Sequence, residues 1–378
     1  MNSQDHTDDN VPPKIDLHQF SQQKAESMGS RLFKRSIWKW VLAILVLLLL
    51  SMTILITVIF NYGSKIIFSE SKPSLVPEFS ETIIRDADTR NKILLLELKG
   101  LITDSLISGT RLDLVSLIKE QLRAAEYDDD VKAVVFYVDS PGGEAMAADA
   151  ICRAIMEFQD KTGKPVIASM GSLAASGGYY VCAGCRWIIA NELTLTGSIG
   201  VILHGWNYRG LLDKIGVRPE VYKSGKFKDM LRGDKAPDEV TPEERKMVQE
   251  LVDEVFLKFK EMVKTGRQTS SSMNGKLGRK LAANWEEFAD GRVFSGKKAY
   301  ELGFVDELGD LETAFIRAKN LAKIGKAKVI SYEKRISLVN ILRFFSENEV
   351  LGLKIDTGLR IPNLKPGKIY LIPPEFFY

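Results

Sequence analysis

Residues 171–181 read GSLAASGGYYV and set Ser176 among small neighbours, with Ala174 and Ala175 before it and Gly177 and Gly178 after it. They follow the apolar run PVIASM, a pattern that places the serine between the end of a buried strand and the start of a helix. Small neighbours keep a hydroxyl unobstructed and let another backbone come close. Amides at a helix start point outward and favour negative charge. The same amides can stabilise the oxyanion of a tetrahedral intermediate, so Ser176 is a candidate nucleophile. A second bare stretch of backbone, Ser140-Pro141-Gly142-Gly143, closes the run KAVVFYVDSPGG. Ligand sites in parallel sheets lie at such strand ends. Taken singly, each motif also reads as a tight turn of small residues.

A nucleophilic serine needs a base. The chain has three histidines, His6, His18 and His204. The first two precede the long apolar span described below, which separates them from Ser176; no Ser-His-Asp set is evident, and the sequence alone leaves His204 open. The other known solution is a lysine. A lysine base must be neutral, and moving it from a pKa of about 10.4 to near 7 costs about 4–5 kcal/mol, which burial can supply. YKSGKFKDM (222–230) offers Lys223, Lys226 and Lys228, and composition does not choose among them. The three cysteines, Cys152, Cys182 and Cys185, are too few and too irregular for a disulfide framework. Cys182 and Cys185 read as small buried side chains rather than a redox pair. There is no zinc-spaced set of ligands, and no metal or cofactor is expected. A net charge of +3 gives no strong argument for nucleic acid, and none is expected as a partner.

The elements that must position these groups follow from periodicity. KILLLELKG (92–100), KAVVFYVDSPGG (132–143) and PVIASMG (165–171) read as buried strands, and a fourth lies within 186–201. Residues 112–128 and 145–163 have helical spacing, and Gly163 ends the second of these. A long helix is expected over 241–264, with Thr241 as N-cap, Pro242 at the first position and Glu243 and Glu244 in the first turn. Residues 277–315 read as smaller helices and turns. Strands alternating with helices imply βαβ units and a mainly parallel sheet, an α/β fold.

Upstream of all this, residues 41–60 form an uncharged apolar run. A helix of that length spans about 30 Å, the thickness of a hydrocarbon core. Lys24, Arg31, Lys34, Arg35 and Lys39 precede it, against Lys65 and Lys72 after it, which puts the N-terminus in the cytoplasm and the rest outside.

Five stretches in order, DSPGGEAMAADAI, GSLAASGGYYV, TGSIGV, KSGKFKD and GRVFSGKKAYELGFVDELG, resemble the signal peptide peptidase A family of membrane-bound serine–lysine proteases. The resemblance covers roughly residues 90–320. It implies a Clp protease/crotonase-like domain of stacked βαβ units, after a transmembrane helix and with a smaller helical C-terminal region. It also implies Ser176 as nucleophile, Lys228 as general base and Ser198 as the residue orienting that lysine. The amides of Gly143 and Gly177 would form the oxyanion hole. Asp139 stands where many relatives have asparagine, a variation expected to be tolerated.

The expected organisation is a cytoplasmic tail (1–35), a signal anchor (36–61), a linker (62–90), the peptidase domain (91–325) and a C-terminal extension (326–378). The implied partners are peptide substrates such as signal peptide remnants, the lipid bilayer, and further copies of the chain in a ring, an octamer in the family. The implied location is the bacterial cytoplasmic membrane, single-pass, with the catalytic domain on the outer side. The rival expectations are a related serine–lysine protease acting on membrane proteins and an inactive anchored scaffold.

Overall fold

The computed structural model describes residues 44–54, 79–104, 113–334 and 370–371. The chain divides into two units, 1–74 and 75–378. In the first, residues 44–54 of the apolar run are helical (α1). Among the described residues no helix is long and apolar enough to cross a membrane. The remainder of the expected anchor and the whole of the expected cytoplasmic tail lie outside the described residues.

In the second unit the apolar runs become β2 (Lys92–Lys99), β3 (Val131–Ser140) and β5 (Val166–Ala175). They are parallel, with Leu94 beside Val134 and Val134 beside Val166. Strands covered on both faces carry apolar side chains at nearly every position, which is why these runs do not alternate with polar residues. The faces still separate by the two-residue period of a strand. Leu94, Leu96, Val134, Phe136 and Val138 face one cluster with Ile118 of α2 (Leu114–Tyr127), Ile151 of α3 (Ala145–Thr162), Tyr179 of α4 (Gly177–Ala183) and Phe259 of α6 (Pro242–Asn274). Ile93, Ala133, Val135 and Ile167 face the other, with Ala314, Phe315 and Ala318 of α8 (Leu311–Leu321). The result is a mixed α/β fold with helices on both faces of the sheet.

The sheet has nine strands. Its main order is β1 (Phe79–Arg85), β10 (Lys328–Lys334), β2, β3, β5, β6 (Trp187–Ala190) and β9 (Glu307–Leu308). Off this path, β7 (Leu195–Gly197) pairs β5, and β8 (Val293–Ser295) pairs β7 antiparallel.

Several boundaries differ from the sequence reading. β1 lies in the stretch read as a linker, and β10 in the stretch read as an extension. The third strand continues past Gly171 to Ala175 because β7 supplies a second partner beyond β6. The single strand expected over 186–201 is therefore two, β6 and β7. Helix α6 opens at the expected N-cap Thr241, which forms a capping box with Glu244, but runs to Asn274. Gly266 lies inside it as a contact point: a Cβ there would sit 2.0 Å from the Ala183 carbonyl oxygen. Just beyond, the fully buried Arg267 donates from both Nη atoms to Asp306 and from Nε to the Gly303 carbonyl at 3.1 Å. Asp306 in turn accepts the Ile188 amide at 2.9 Å, so this one pair ties α6 to the sheet.

Candidate active site

β5 ends with Ala175 beside Gly197 of β7, and the next residue is Ser176. Its backbone is at φ 53 and ψ −117, in the left-handed region that L residues rarely adopt. Such a conformation costs about 1–3 kcal/mol and persists only where its surroundings fix it. Here the Ser176 amide donates to the Gly197 carbonyl at 2.8 Å, and the Ser176 carbonyl accepts the Tyr180 amide at 2.9 Å. Gly178 has no room for a side chain, since a Cβ would lie 2.6 Å from the Ser140 carbonyl oxygen. Tyr179 is buried and donates its hydroxyl to the Phe304 carbonyl at 3.0 Å, pinning α4. Ser176 is 1% exposed, and its Oγ is the sole buried side-chain oxygen or nitrogen among the described residues without a hydrogen-bond partner. Buried hydroxyls are nearly always satisfied, so this exception marks a group held ready for something else.

The second bare backbone lies at the end of β3. Ser140 Oγ donates to the Gly100 carbonyl at 2.6 Å and accepts the Gly142 amide at 3.1 Å. Gly142 turns at φ 105 into the two-residue strand β4 (Gly143–Glu144). Ile102 runs along one edge of it: its amide donates to the Gly142 carbonyl, and the Glu144 amide donates to its carbonyl, both at 2.8 Å. A Cβ on Gly143 would come within 1.9 Å of the Ile102 carbonyl oxygen, so glycine is required. Successive amides of a strand point to opposite edges, so the Gly143 amide faces away from Ile102. Asp139 Oδ1 accepts the Leu173 amide at 3.0 Å. An asparagine oxygen would do the same, which accounts for the variation noted in the sequence.

Ser198 follows Gly197, the acceptor of the Ser176 amide. It is buried, also at positive φ (48°), and its amide donates to the Arg292 carbonyl at 2.8 Å. The β5–β7 pairing therefore brings Ser176 and Ser198 together at the ends of neighbouring strands.

The lysines are placed differently. Lys223 pairs with Asp229 at 2.8 Å and Lys226 with Glu243 at 2.6 Å. Nearby, Lys235 pairs with Glu244 at 2.6 Å. Lys228 is exposed, makes no ion pair among the described residues, and is not hydrogen-bonded to Ser176 or Ser198. Of the three lysines of this segment, Lys228 is the one with no carboxylate against it among the described residues. His204 is exposed and packs edge-on against Trp206, with no hydrogen bond to Ser176. The cysteines are buried and free, and burial pushes all three thiols up, Cys152 to about 12. None of them is a thiolate nucleophile.

The sequence reading missed two things here: the Ser140 hydroxyl that fixes the glycine turn, and a short strand β11 (Tyr370–Leu371) that pairs with β4. The apolar and aromatic run Ile369-Tyr370-Leu371-Ile372, closed by Pro373 and Pro374, is the signal that could have revealed the strand.

A strained serine with a buried, unpartnered Oγ, at the end of a parallel strand and the start of a helix, is an arrangement that serine hydrolases use. The comparisons agree and are narrower. Residues 158–325 match the model of peptidase family S49. A Synechocystis protein named as a protease is 39% identical over 243 residues, covering 64% of this chain and 78% of its own. An Enterococcus faecium protein that carries the name signal peptide peptidase SppA is 35% identical over 260 residues, covering 68% and 71%. Among solved structures, the 1510-N membrane-bound stomatin-specific protease with a substrate peptide is 17% identical, covering 68% of this chain and 97% of that one at a TM-score of 0.35, too slight a likeness to bear on function. The chain belongs to peptidase family S49 and is a serine protease of that family.

Proposed function

We propose that the chain is a membrane-anchored endopeptidase with a serine–lysine dyad, and that it degrades apolar peptides such as signal peptide remnants on the outer face of the bacterial cytoplasmic membrane. The observation that carries this reading is the buried, unpartnered Oγ of Ser176 at its strained turn. Ser176 Oγ attacks the peptide carbonyl while the Nζ of Lys228, oriented by Ser198, takes its proton. The amides of Gly143 and Gly177 hold the oxyanion. The proton then passes to the leaving amine, and water hydrolyses the acyl-enzyme by the same steps in reverse.

Lys228 comes from a neighbouring copy. It lies on a segment with much exposed apolar surface, including Trp206, Leu211, Ile215 and Tyr222, the last 92% exposed. Such a patch marks an interaction surface, and a second copy that covers it would also bury Lys228. Head-to-tail contacts of this kind close into a ring, an octamer if the family pattern holds. The domain is then of the Clp protease/crotonase type, and residues 41–60 anchor it. A cleft of about 1200 Å³ beside Glu144 and Met146, walled by Tyr180, Leu251 and Phe259, suits apolar peptides.

The test is to mix inactive Ser176→Ala and Lys228→Ala protomers under conditions that allow reassembly. About a quarter of interfaces should then carry both intact residues and recover activity, with a fluorophosphonate labelling Ser176 only there. No recovery in verified mixed rings would refute the shared site. Labelling absent from the unmutated chain would refute the nucleophile.

A further inference from the structure

The segment that carries Lys228 has no apolar core of its own. Between residues 201 and 243 only Asp229 and Lys235 are buried, while Trp206, Leu211 and Tyr222 face outward. Charge holds it instead. Lys223 Nζ donates to Asp229 Oδ1 at 2.8 Å and to the Lys226 carbonyl at 3.1 Å, closing the chain around Lys228. Lys235 Nζ lies 3.8 Å from the same Asp229 oxygen and donates to Glu244 Oε1 at 2.6 Å. Glu244, also buried, accepts the Thr241 amide on its other oxygen at 2.9 Å. Asp229, Lys235 and Glu244 thus form a line of charges from the residue after Lys228 to the first turn of α6. A second tie to that turn, Lys226 to Glu243, is exposed at both ends.

From this network we infer that Asp229 and Lys235 are positioning residues for the proteolytic reaction: anchored on Glu244, they fix the backbone that presents Lys228. The inference rests on the reading of Lys228 as the general base. Neither side chain touches substrate. Each acts through the run of turns in which Lys228 sits, where the Lys228 amide donates to the Gly225 carbonyl at 3.2 Å and the Met230 amide to the Phe227 carbonyl at 3.1 Å. Those turns contain two flexible bonds per residue and little packing, so the ionic line is what selects one arrangement. Buried charges are kept only when paired, and deleting one partner leaves the others uncompensated, so the line holds or fails as a unit. Exposed pairs such as Lys226 and Glu243 contribute far less. A catalytic group displaced by about 1 Å can lose about a hundredfold in rate, so a loosened turn is read in the chemical step.

Steady-state kinetics on the assembled full-length protein test this. Asp229→Asn and Lys235→Met, which remove charge with little change of shape, should each lower kcat for a reporter peptide by about ten- to a hundredfold and leave KM within about twofold. Lys235→Arg keeps the charge and should restore kcat to within about threefold. Glu243→Gln breaks only the exposed tie and should leave kcat within about twofold. The defect should also belong to the half of the site that carries the lysine. Asp229→Asn protomers should gain activity when mixed with Ser176→Ala protomers, whose Lys228 segment is intact, and gain none with Lys228→Ala protomers. Unchanged kcat in both Asp229→Asn and Lys235→Met, or a loss that Lys235→Arg does not repair, would overturn the inference. So would a loss of activity that tracks a loss of assembly in sedimentation of the same samples, since the network would then hold an interface rather than the lysine. Gain with Lys228→Ala but not with Ser176→Ala would place the defect on the nucleophile and overturn it as well. Failure of the underlying reading looks different: Lys228→Ala itself would then keep its activity.

Discussion

The two halves of the proposed dyad are built on opposite principles. Around Ser176, helix α4 is wholly buried, Gly143 and Gly178 are closed off by neighbouring carbonyls, and the backbone strain is held by paired strands. Around Lys228, helix α5 (Arg209–Lys214) buries none of its residues, and the surrounding apolar side chains face outward. The first half is complete within one chain. The second has the composition of an interface without its other side. On the proposed shared site, such a protease would be inert until it assembles, because its reactive oxygen and its base would meet only between copies.

The sharpest break in this comparison is expected from activity. Ser176→Ala and Lys228→Ala should each lower kcat/KM for a reporter peptide by at least about a thousandfold. Their stabilities should stay close to that of the unmutated protomer, with Lys228→Ala within about 0.5 kcal/mol in urea unfolding. If Lys226→Ala were equally inactive, the assignment among the lysines would be wrong. Arg267→Ala reverses the pattern. Removing one partner of a fully buried ion pair costs about 3–5 kcal/mol, measurable by denaturant midpoint, in a residue that touches no substrate.

Gly143→Ala should do both kinds of damage. Its Cβ meets the Ile102 carbonyl, so stability should fall by about 1–3 kcal/mol while hydrolysis is lost. The smallest effect tests the scaffold alone. Asp113 caps α2, and although burial opposes its ionisation, hydrogen bonds from the Ser116 amide and hydroxyl hold its pKa below the ordinary value. Asp113→Ala should cost about 1 kcal/mol near pH 7. Because the folded pKa is depressed, that contribution is present above the unfolded value of about 3.9 and lost as pH falls through the folded one. Stability curves of the two proteins should therefore converge in acid.

The parallel sheet was legible because buried strands announce themselves by unbroken apolar runs, as in KILLLELK and VKAVVFYV. The nucleophile turn was legible because only small residues fit where Ser140 and Ile102 press on α4 and β4. The edges were not. β1 contains Glu81 and Arg85 and is largely exposed, and it becomes a strand only because β10 arrives beside it. The extent of α6 was hidden by Gly266, which in sequence looks like a terminator and in space is a point of close approach to α4. The residues alone did not choose among Lys223, Lys226 and Lys228, and the pairing of Lys223 with Asp229 and of Lys226 with Glu243 exists only in the fold.

The placement of β10 has a consequence for the order in which the molecule can be made. It lies between β1 and β2, strands from the beginning of the domain, although it is the last strand of the sheet in sequence. While the chain is being synthesised, β2 has β3 on one side and nothing on the other. The gap closes only when residues 328–334 arrive, and β1 has no place in the sheet before then. Folding is thereby gated by the last strand. A nascent chain halted before residue 328 keeps an open β2 edge, a surface that invites wrong pairing, and the architecture withholds a closed sheet from any incomplete product.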